Sequence, residues 1–392
     1  MAEISREIID LQKVVPGGQT LGLLADGRKI FVWGGLPDEK VEVEIYKSKK
    51  SYAEGNVTRV ITPSSERIDP RDECYLATSP WQIYQFKYEN QLKNQLLVES
   101  FRQEGIELDL PPIVTDGRDF GYRNKMEYSL WYDQEKQKIF LAFHKRSSHQ
   151  KIPIAQSSIE QPEVFREAQS IIDKLNDSGD EARKYQSILV RANQQGQVSS
   201  ALFENGKPRP KMRSLNDRLL GKEFSYSPNG FFQINLPVYE KALQQIKSNM
   251  DGTLDTIDLY GGVGSIGLTV ANNSTIIESN KFAADEAQLN AQTLQETRAK
   301  IICANAEESL NYITKDINLI VDPPRAGLDP RVVEHILSVL PRRVIYLSCN
   351  PSTQARDIAR LLQKYRMISA QAYNFFPRTP HIESLIALEA RS

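Results

Sequence analysis

Thr256-Ile257-Asp258-Leu259-Tyr260-Gly261-Gly262-Val263-Gly264-Ser265-Ile266-Gly267 joins a short apolar strand to a turn that fits Gly-x-Gly-x-x-Gly, with a helical stretch behind it. Glycines at that spacing let the backbone turn sharply and approach a ligand closely. Glu278 follows Asp258 by 20 residues, where an acid can accept hydrogen bonds from ribose hydroxyls. Taken alone, the motif suits a nicotinamide dinucleotide and S-adenosylmethionine (SAM) equally, and a purely structural turn is a third reading.

The same grammar continues on both sides. Apolar strands at 256–259, 275–277, 300–303, 318–321 and 343–347 alternate with amphipathic helical stretches, the pattern of a parallel sheet. In open α/β sheets, ligands bind beyond the carboxyl ends of the strands. Asp258, Glu278, Asp322 and Cys349 stand at or just past four of those ends, so one crevice should gather several reactive side chains. Residues 227–392 therefore read as a Rossmann-like α/β domain.

Upstream the character differs. The first 62 residues are short alternating strands cut by turns such as Gly17-Gly18 and Trp33-Gly34-Gly35-Leu36-Pro37-Asp38, which suggests a small OB-like β-barrel. Lys47-Ser48-Lys49-Lys50-Ser51-Tyr52 sets cations beside an aromatic ring, a combination that suits RNA. Pro63 to Arg71 reads as a linker. Residues 63–226 read as a central α+β domain, with an amphipathic helix near 88–104 that can pack on the catalytic domain. A hairpin is expected from Met126-Glu127-Tyr128-Ser129-Leu130 and Ile139-Phe140-Leu141-Ala142-Phe143 around Asp133-Gln134-Glu135-Lys136.

Composition excludes several classes. The chain has 392 residues, 40% of them apolar and 25% charged, which is globular material for more than one core. No apolar run approaches a membrane span, and the first residues lack a signal peptide's apolar run. Three cysteines (Cys74, Cys303, Cys349) cannot build a disulfide framework, so a reducing cytoplasm is expected. Four histidines without paired spacing argue against zinc. Net charge is −1, yet residues 118–151 carry a surplus of four cations and 205–222 a surplus of five. Such patches can hold phosphates, although solvated loops explain them as well.

Two further strand-end motifs separate the cofactors. Asp322-Pro323-Pro324-Arg325-Ala326-Gly327 closes a buried strand, and its prolines stiffen the loop that carries Asp322. Ser348-Cys349-Asn350-Pro351 closes another, just ahead of a helix whose dipole should favour the thiolate of Cys349. A dehydrogenase has no use for that cysteine; methylation of an unreactive carbon does.

With these motifs the chain resembles the SAM-dependent RNA uracil-C5 methyltransferases, which make 5-methyluridine. The resemblance rests also on Phe231-Phe232-Gln233-Ile234-Asn235 and on Phe376-Pro377-Arg378-Thr379-Pro380-His381-Ile382-Glu383. The N-terminal barrel resembles the TRAM domain of the branch that acts on 23S ribosomal RNA. The resemblance implies Cys349 as the nucleophile that adds to uracil C6, and Glu383 as the base that removes the C5 proton. It places Gln233, Tyr260, Ser265, Glu278 and Asp322 around SAM. Arg123, Asn124, Lys125, His144, Lys145 and Arg146 resemble RNA-facing positions, where exposed surface charge is the alternative. The target base should be flipped out of its stack.

Other readings stay beside these. Phe231 and Phe232 can be core or can stack on a ligand, and Asp322 can cap its loop. Cys303, inside a strand, reads as a small buried apolar residue. Many relatives hold an iron–sulfur cluster on four cysteines. Here only Cys74 remains, with Tyr75-Leu76-Ala77-Thr78-Ser79-Pro80-Trp81 and Gln156-Ser157-Ser158-Ile159 in the other places, so no cluster is expected. Gly261 stands where the family commonly has cysteine. A transfer-RNA substrate, an exocyclic-amine methylase and an inert RNA-binding relative are the competing functions; no membrane or obligate protein partner is expected.

Overall fold

The computed structural model describes residues 5–146, 148, 150–178 and 184–391. At the N-terminus, β1 (Ser5–Val14), β2 (Thr20–Leu23), β3 (Lys29–Trp33), β4 (Lys40–Ser48) and β5 (Tyr52–Thr62) close into a barrel of order β1-β2-β3-β5-β4. Alternation explains its core: Ile9, Leu11, Ile30, Val32, Val41 and Val43 are buried while their strand neighbours, apart from buried Trp33, are more exposed. The segment read as a linker is docked. Arg67 donates from Nε and Nη2 to the buried carboxylate of Glu39 at 2.6 and 2.7 Å, and from Nη2 to the Gly34 carbonyl at 2.8 Å.

The central sheet has the order β11-β10-β9-β6-β7-β8. Its strands are β6 (Lys125–Asp133), β7 (Lys138–His144), β8 (Lys151–Pro153), β9 (Ser187–Ala192), β10 (Val198–Glu204) and β11 (Lys207–Arg209). Helix Pro162–Ser178 covers one face through Val164, Ala168 and Ile172. The hairpin β12 (Leu215–Leu219) and β13 (Lys222–Tyr226) instead shares its core with the C-terminal domain. Helix Phe86–Arg102 also leaves the central sheet, burying Leu97 and Phe101 in that domain.

The C-terminal sheet comprises β14 (Asp255–Leu259), β15 (Ser274–Glu278), β16 (Ala299–Cys303), β17 (Ile317–Val321), β18 (Arg343–Ser348), β19 (Tyr365–Tyr373) and β20 (Glu383–Ala390). Its order is β16-β15-β14-β17-β18-β20-β19. The first five in that order are parallel, and β20 enters antiparallel between β18 and β19. The strand order reverses between β14 and β17, which opens a crevice beyond their carboxyl ends. One expectation fails here. Cys303 is exposed, because β16 is the edge strand and lacks a neighbour on one side.

Candidate active site

The glycine turn is shaped by what surrounds it. Gly264 has φ +84°, and a Cβ there would lie 2.8 Å from Leu268 Cδ1. A Cβ on Gly261 would meet Ile276 Cγ2 at 2.3 Å, so glycine is required opposite this isoleucine. Glu278 braces the turn, accepting the Gly262 N–H at 2.9 Å and the Asn280 N–H at 2.6 Å. Asp258 is fully buried; its Oδ2 accepts the Gly267 N–H at 2.8 Å while Oδ1 has no partner among the described residues. Burial, with the Asp322 and Glu278 charges behind it, pushes Asp258 up to about 7. Asp322, half-buried just past β17, is pushed to about 7 by burial alone.

The remaining expected SAM residues converge on this edge. Ser265 Oγ lies 2.8 Å from Tyr239 Oη. Half-buried Tyr260 follows β14, and burial pushes its hydroxyl up to about 12. Gln233 is nearly buried, and buried Arg191 fixes its segment by donating to the carbonyls of Phe232 at 2.8 Å and Gln233 at 3.2 Å. The two phenylalanines divide: Phe232 stacks on Tyr226 with centroids 4.2 Å apart, whereas Phe231 is 75% exposed. A partnerless buried carboxylate oxygen, a second carboxylate and the bracing glutamate suit a ligand with a positive charge and hydroxyl donors. SAM has both; a pyrophosphate would face Asp258 and Asp322 as like charges.

Cys349 leaves β18 just before helix Pro351–Leu361. Asn350 caps that helix, accepting from the Ser352 N–H at 3.3 Å, and donates to the Arg325 carbonyl at 2.8 Å. The surroundings of Cys349 do not favour the expected thiolate. Burial, then the Glu383 and Asp322 carboxyls, push the thiol up to about 11, outweighing the Arg325 guanidinium beside it. Across the antiparallel ladder Ser348 pairs with Ser384, which brings Glu383 to Cys349. Glu383 is buried, and burial followed by Asp322 raises its carboxyl far above the ordinary range.

Beside Cys349 opens a cavity of about 380 Å³, within the range that holds a small ligand. Its walls come from the whole chain: Gly17 of the barrel, Leu96 of helix Phe86–Arg102, Arg146 after β7, and Arg325 and His381. The barrel is pressed into place, since a Cβ on Gly18 would lie 2.2 Å from Pro380 Cβ, and Trp81 Nε1 donates to the Gly18 carbonyl at 3.0 Å.

Residues 212–391 match the family described as tRNA (Uracil-5-)-methyltransferase, and residues 8–58 match the TRAM domain. Two relatives named as uncharacterized RNA methyltransferases align almost throughout. One, from Lactiplantibacillus plantarum, is 27% identical over 98% of this chain and 97% of its own. The other, from Bacillus cereus, is 29% identical over 92% and 91%. The C-terminal part of the chain thus matches the RNA uracil-C5 methyltransferases, and its N-terminal barrel matches the TRAM domain. The crystal structure of Pyrococcus abyssi tRNA (uracil-54, C5)-methyltransferase in complex with S-adenosyl-L-homocysteine has the same fold, with a TM-score of 0.74, 23% identity, and coverage of 98% of this chain and 100% of that one.

The cations expected to face RNA have separate fates. Arg146 lines the cavity, donates to the Leu76 carbonyl at 2.7 Å and lies 4.3 Å from the Trp33 ring. Lys125 is turned inward, donating to the carbonyls of Asn229 at 3.1 Å and Gly230 at 2.9 Å, and burial pulls it down to about 8. Arg123 folds back on the Lys125 carbonyl, Asn124 is buried, and His144 and Lys145 are exposed away from the cavity walls. His381, two residues before Glu383, also lines the cavity, and the sequence does not single it out. Its only signal was its place in the final motif.

The family's cluster does not fit here. Cys74 is buried, with its thiol pushed up to about 12 by burial and Asp72, and no second cysteine is near in sequence. A hydrogen-bonded staple occupies the region. Buried Asp72 accepts from Gln82 Nε2 at 2.8 Å and from Ser158 N and Oγ at 3.0 and 2.6 Å. Among the described residues, no three His, Cys, Asp or Glu side chains gather as metal ligands, and no helix is long and apolar enough to cross a membrane.

Proposed function

We propose that this enzyme methylates C5 of a uridine in RNA, through a transient bond between Cys349 and C6, with 23S ribosomal RNA as substrate. The observation that carries the reading is the β18–β20 register, which sets Cys349 against Glu383 beside a nucleotide-sized cavity. When bound between the glycine turn, Gln233, Tyr260, Ser265, Glu278 and Asp322, SAM supplies an electrophilic methyl group. Cys349 supplies what uracil lacks. Its sulfur adds to C6, the C5=C6 pair moves onto C5 and the C4 carbonyl, and C5 becomes nucleophilic. Once C5 carries its methyl group, Glu383 takes the C5 proton, the C5=C6 bond re-forms and the sulfur leaves.

The cavity walls support base flipping, because a stacked uridine cannot enter a pocket lined by three parts of the chain. The barrel (1–62) and the central domain (63–226) would hold the RNA, with Arg146 nearest the entering nucleotide. RNA carrying 5-fluorouridine tests the covalent step, since fluorine cannot be removed as a proton. A stable adduct should form with the wild type, and equal trapping by Cys349→Ala would refute the nucleophile. A transfer-RNA substrate is the second reading, favoured by the fold shared with the P. abyssi enzyme. Mapping 5-methyluridine in both RNA classes from a strain lacking this protein separates the two.

A further inference from the structure

His381 is held in one tautomer. Its Nδ1 lies 2.9 Å from Arg325 Nη2. A guanidinium can only donate, so Nδ1 must be the acceptor and the ring's single proton must reside on Nε2. Neutrality is reinforced by burial of the ring's packed side and by the Arg325 charge, which together lower its pKa. Both partners are pinned. The Arg325 carbonyl accepts from Asn350 Nδ2 at 2.8 Å and Thr353 Oγ1 at 3.2 Å, so the helix cap that follows Cys349 also positions the arginine. The imidazole sits edge-on to Phe376, centroids 5.6 Å apart, and Thr379 Oγ1 accepts the His381 N–H at 3.3 Å. Nε2 has no partner among the described residues, and His381 shares the cavity wall with Cys349.

A fixed, unused N–H beside a nucleophile has an evident use when the attacked ring gains charge. We propose that His381 is a catalytic hydrogen-bond donor, its Nε2–H stabilising the negative charge that grows on the C4 carbonyl oxygen of uracil as Cys349 adds to C6. The inference rests on the covalent reading above. No proton is transferred in this step: the S–C6 bond forms, the π pair moves to C5 and the C4 oxygen, and the donor strengthens a hydrogen bond that weakens again when sulfur leaves. Donors aimed at a developing oxyanion commonly contribute about 100-fold or more in rate.

The test is the rate of covalent trapping by 5-fluorouridine RNA in the presence of SAM, measured for wild type, His381→Phe and His381→Gln. His381→Phe keeps a flat ring and loses the donor, so trapping should slow about 100-fold with the RNA Kd changed less than about threefold. His381→Gln can offer an amide N–H near the old Nε2 position and should recover to within roughly 10-fold of wild type. Wild-type trapping by His381→Phe overturns the proposal. So does an equal loss in both variants accompanied by a fallen Tm, which would mark a packing role. If the wild type itself never traps, the covalent reading falls and takes this inference with it.

Discussion

Cys349 and Glu383 lie one step beyond the Ser348–Ser384 pair of the β18–β20 ladder, the cysteine leaving one strand and the glutamate entering the other. Asp258, Glu278, Asp322 and Cys349 stand at or just past the carboxyl ends of parallel strands. Glu383 reaches the same edge by its strand's beginning, because β20 runs the opposite way. Antiparallel insertion thus brings a carboxyl from near the end of the chain against the proposed nucleophile without a long loop. The cost is electrostatic: two carboxyls beside a half-buried thiol oppose the charge it must carry.

That opposition sets a pH dependence. With the thiol at about 11, thiolate is scarce at neutral pH and its population rises tenfold per pH unit below that value. Trapping by 5-fluorouridine RNA stops before any proton leaves C5 and so reports the thiol alone, whereas turnover also needs Glu383 deprotonated and rises with pH in the same sense. Single-turnover trapping by 5-fluorouridine RNA should climb from pH 6.5 to pH 9 without a plateau. Arg325→Met removes the cation that lowers the thiol's pKa and also frees His381 Nδ1, so it should slow trapping by at least about 10-fold at pH 7.5, with only the thiol's share regained at higher pH. A flat profile in the wild type would sink this account.

Removing the proposed base should stop the reaction late rather than early. Glu383→Gln leaves Cys349 free to add and C5 free to take its methyl group, but the C5 proton then has no acceptor. The variant should accumulate a covalent, methylated adduct with ordinary RNA, visible as a shifted band in a denaturing gel and as incorporated methyl label. Turnover should fall by at least about 100-fold. Rapid product release with no adduct would mean that another group removes the proton.

Asp258 holds its position at the expense of stability. Its folded pKa is about 7 against an ordinary 3.8, so the folded protein favours the protonated form. The stabilisation is complete below about pH 4 and is lost as pH rises through 7. Asp258→Asn can still accept the Gly267 N–H and carries no buried charge. It should stabilise the ligand-free protein at pH 8 by roughly 2–4 kcal/mol, with the gain vanishing near pH 4. SAM affinity should fall in the same variant. Thermal scans at the two pH values check the first half, and an unchanged Tm at pH 8 would contradict it.

What could be read from the sequence follows from the range of each effect. A central parallel strand is buried on both faces, so Ile317–Val321 is apolar at nearly every position and legible as a strand. Asp322 and Cys349 were legible because a strand end is a local feature. Cys303 was not, since its burial depends on whether β16 has an outer neighbour. The Cys349 thiol misled for the same reason: the helix behind it is visible locally, whereas the Asp322 and Glu383 charges arrive through tertiary structure. Lys125 reads as a surface cation, yet its partners are carbonyls more than 100 residues away. The Arg67–Glu39 pair, 28 residues apart, likewise turned an apparent linker into a docked segment.

The loop that delivers His381 and Glu383 has its own anchor. Lys93, fully buried on helix Phe86–Arg102, donates to Asn374 Oδ1 at 2.6 Å and the Phe376 carbonyl at 3.0 Å, and pairs with Glu89 at 2.9 Å. Glu89 in turn accepts the Arg378 N–H at 3.0 Å and Asn374 Nδ2 at 3.1 Å, and the Arg378 guanidinium pairs with Asp119. A dry ion pair of this kind is worth little against an apolar replacement, but losing Lys93 leaves Glu89 with only the Arg378 guanidinium, 3.8 Å away, as a charged partner. Lys93→Met should therefore destabilise the protein by about 3 kcal/mol, and Lys93→Met with Glu89→Gln should recover most of that. Urea unfolding measures both. Trapping by 5-fluorouridine RNA should follow the same order, since the loop shifts only when a charge is left unpaired. If the single variant cost less than about 1 kcal/mol, the clamp would not be holding the catalytic loop.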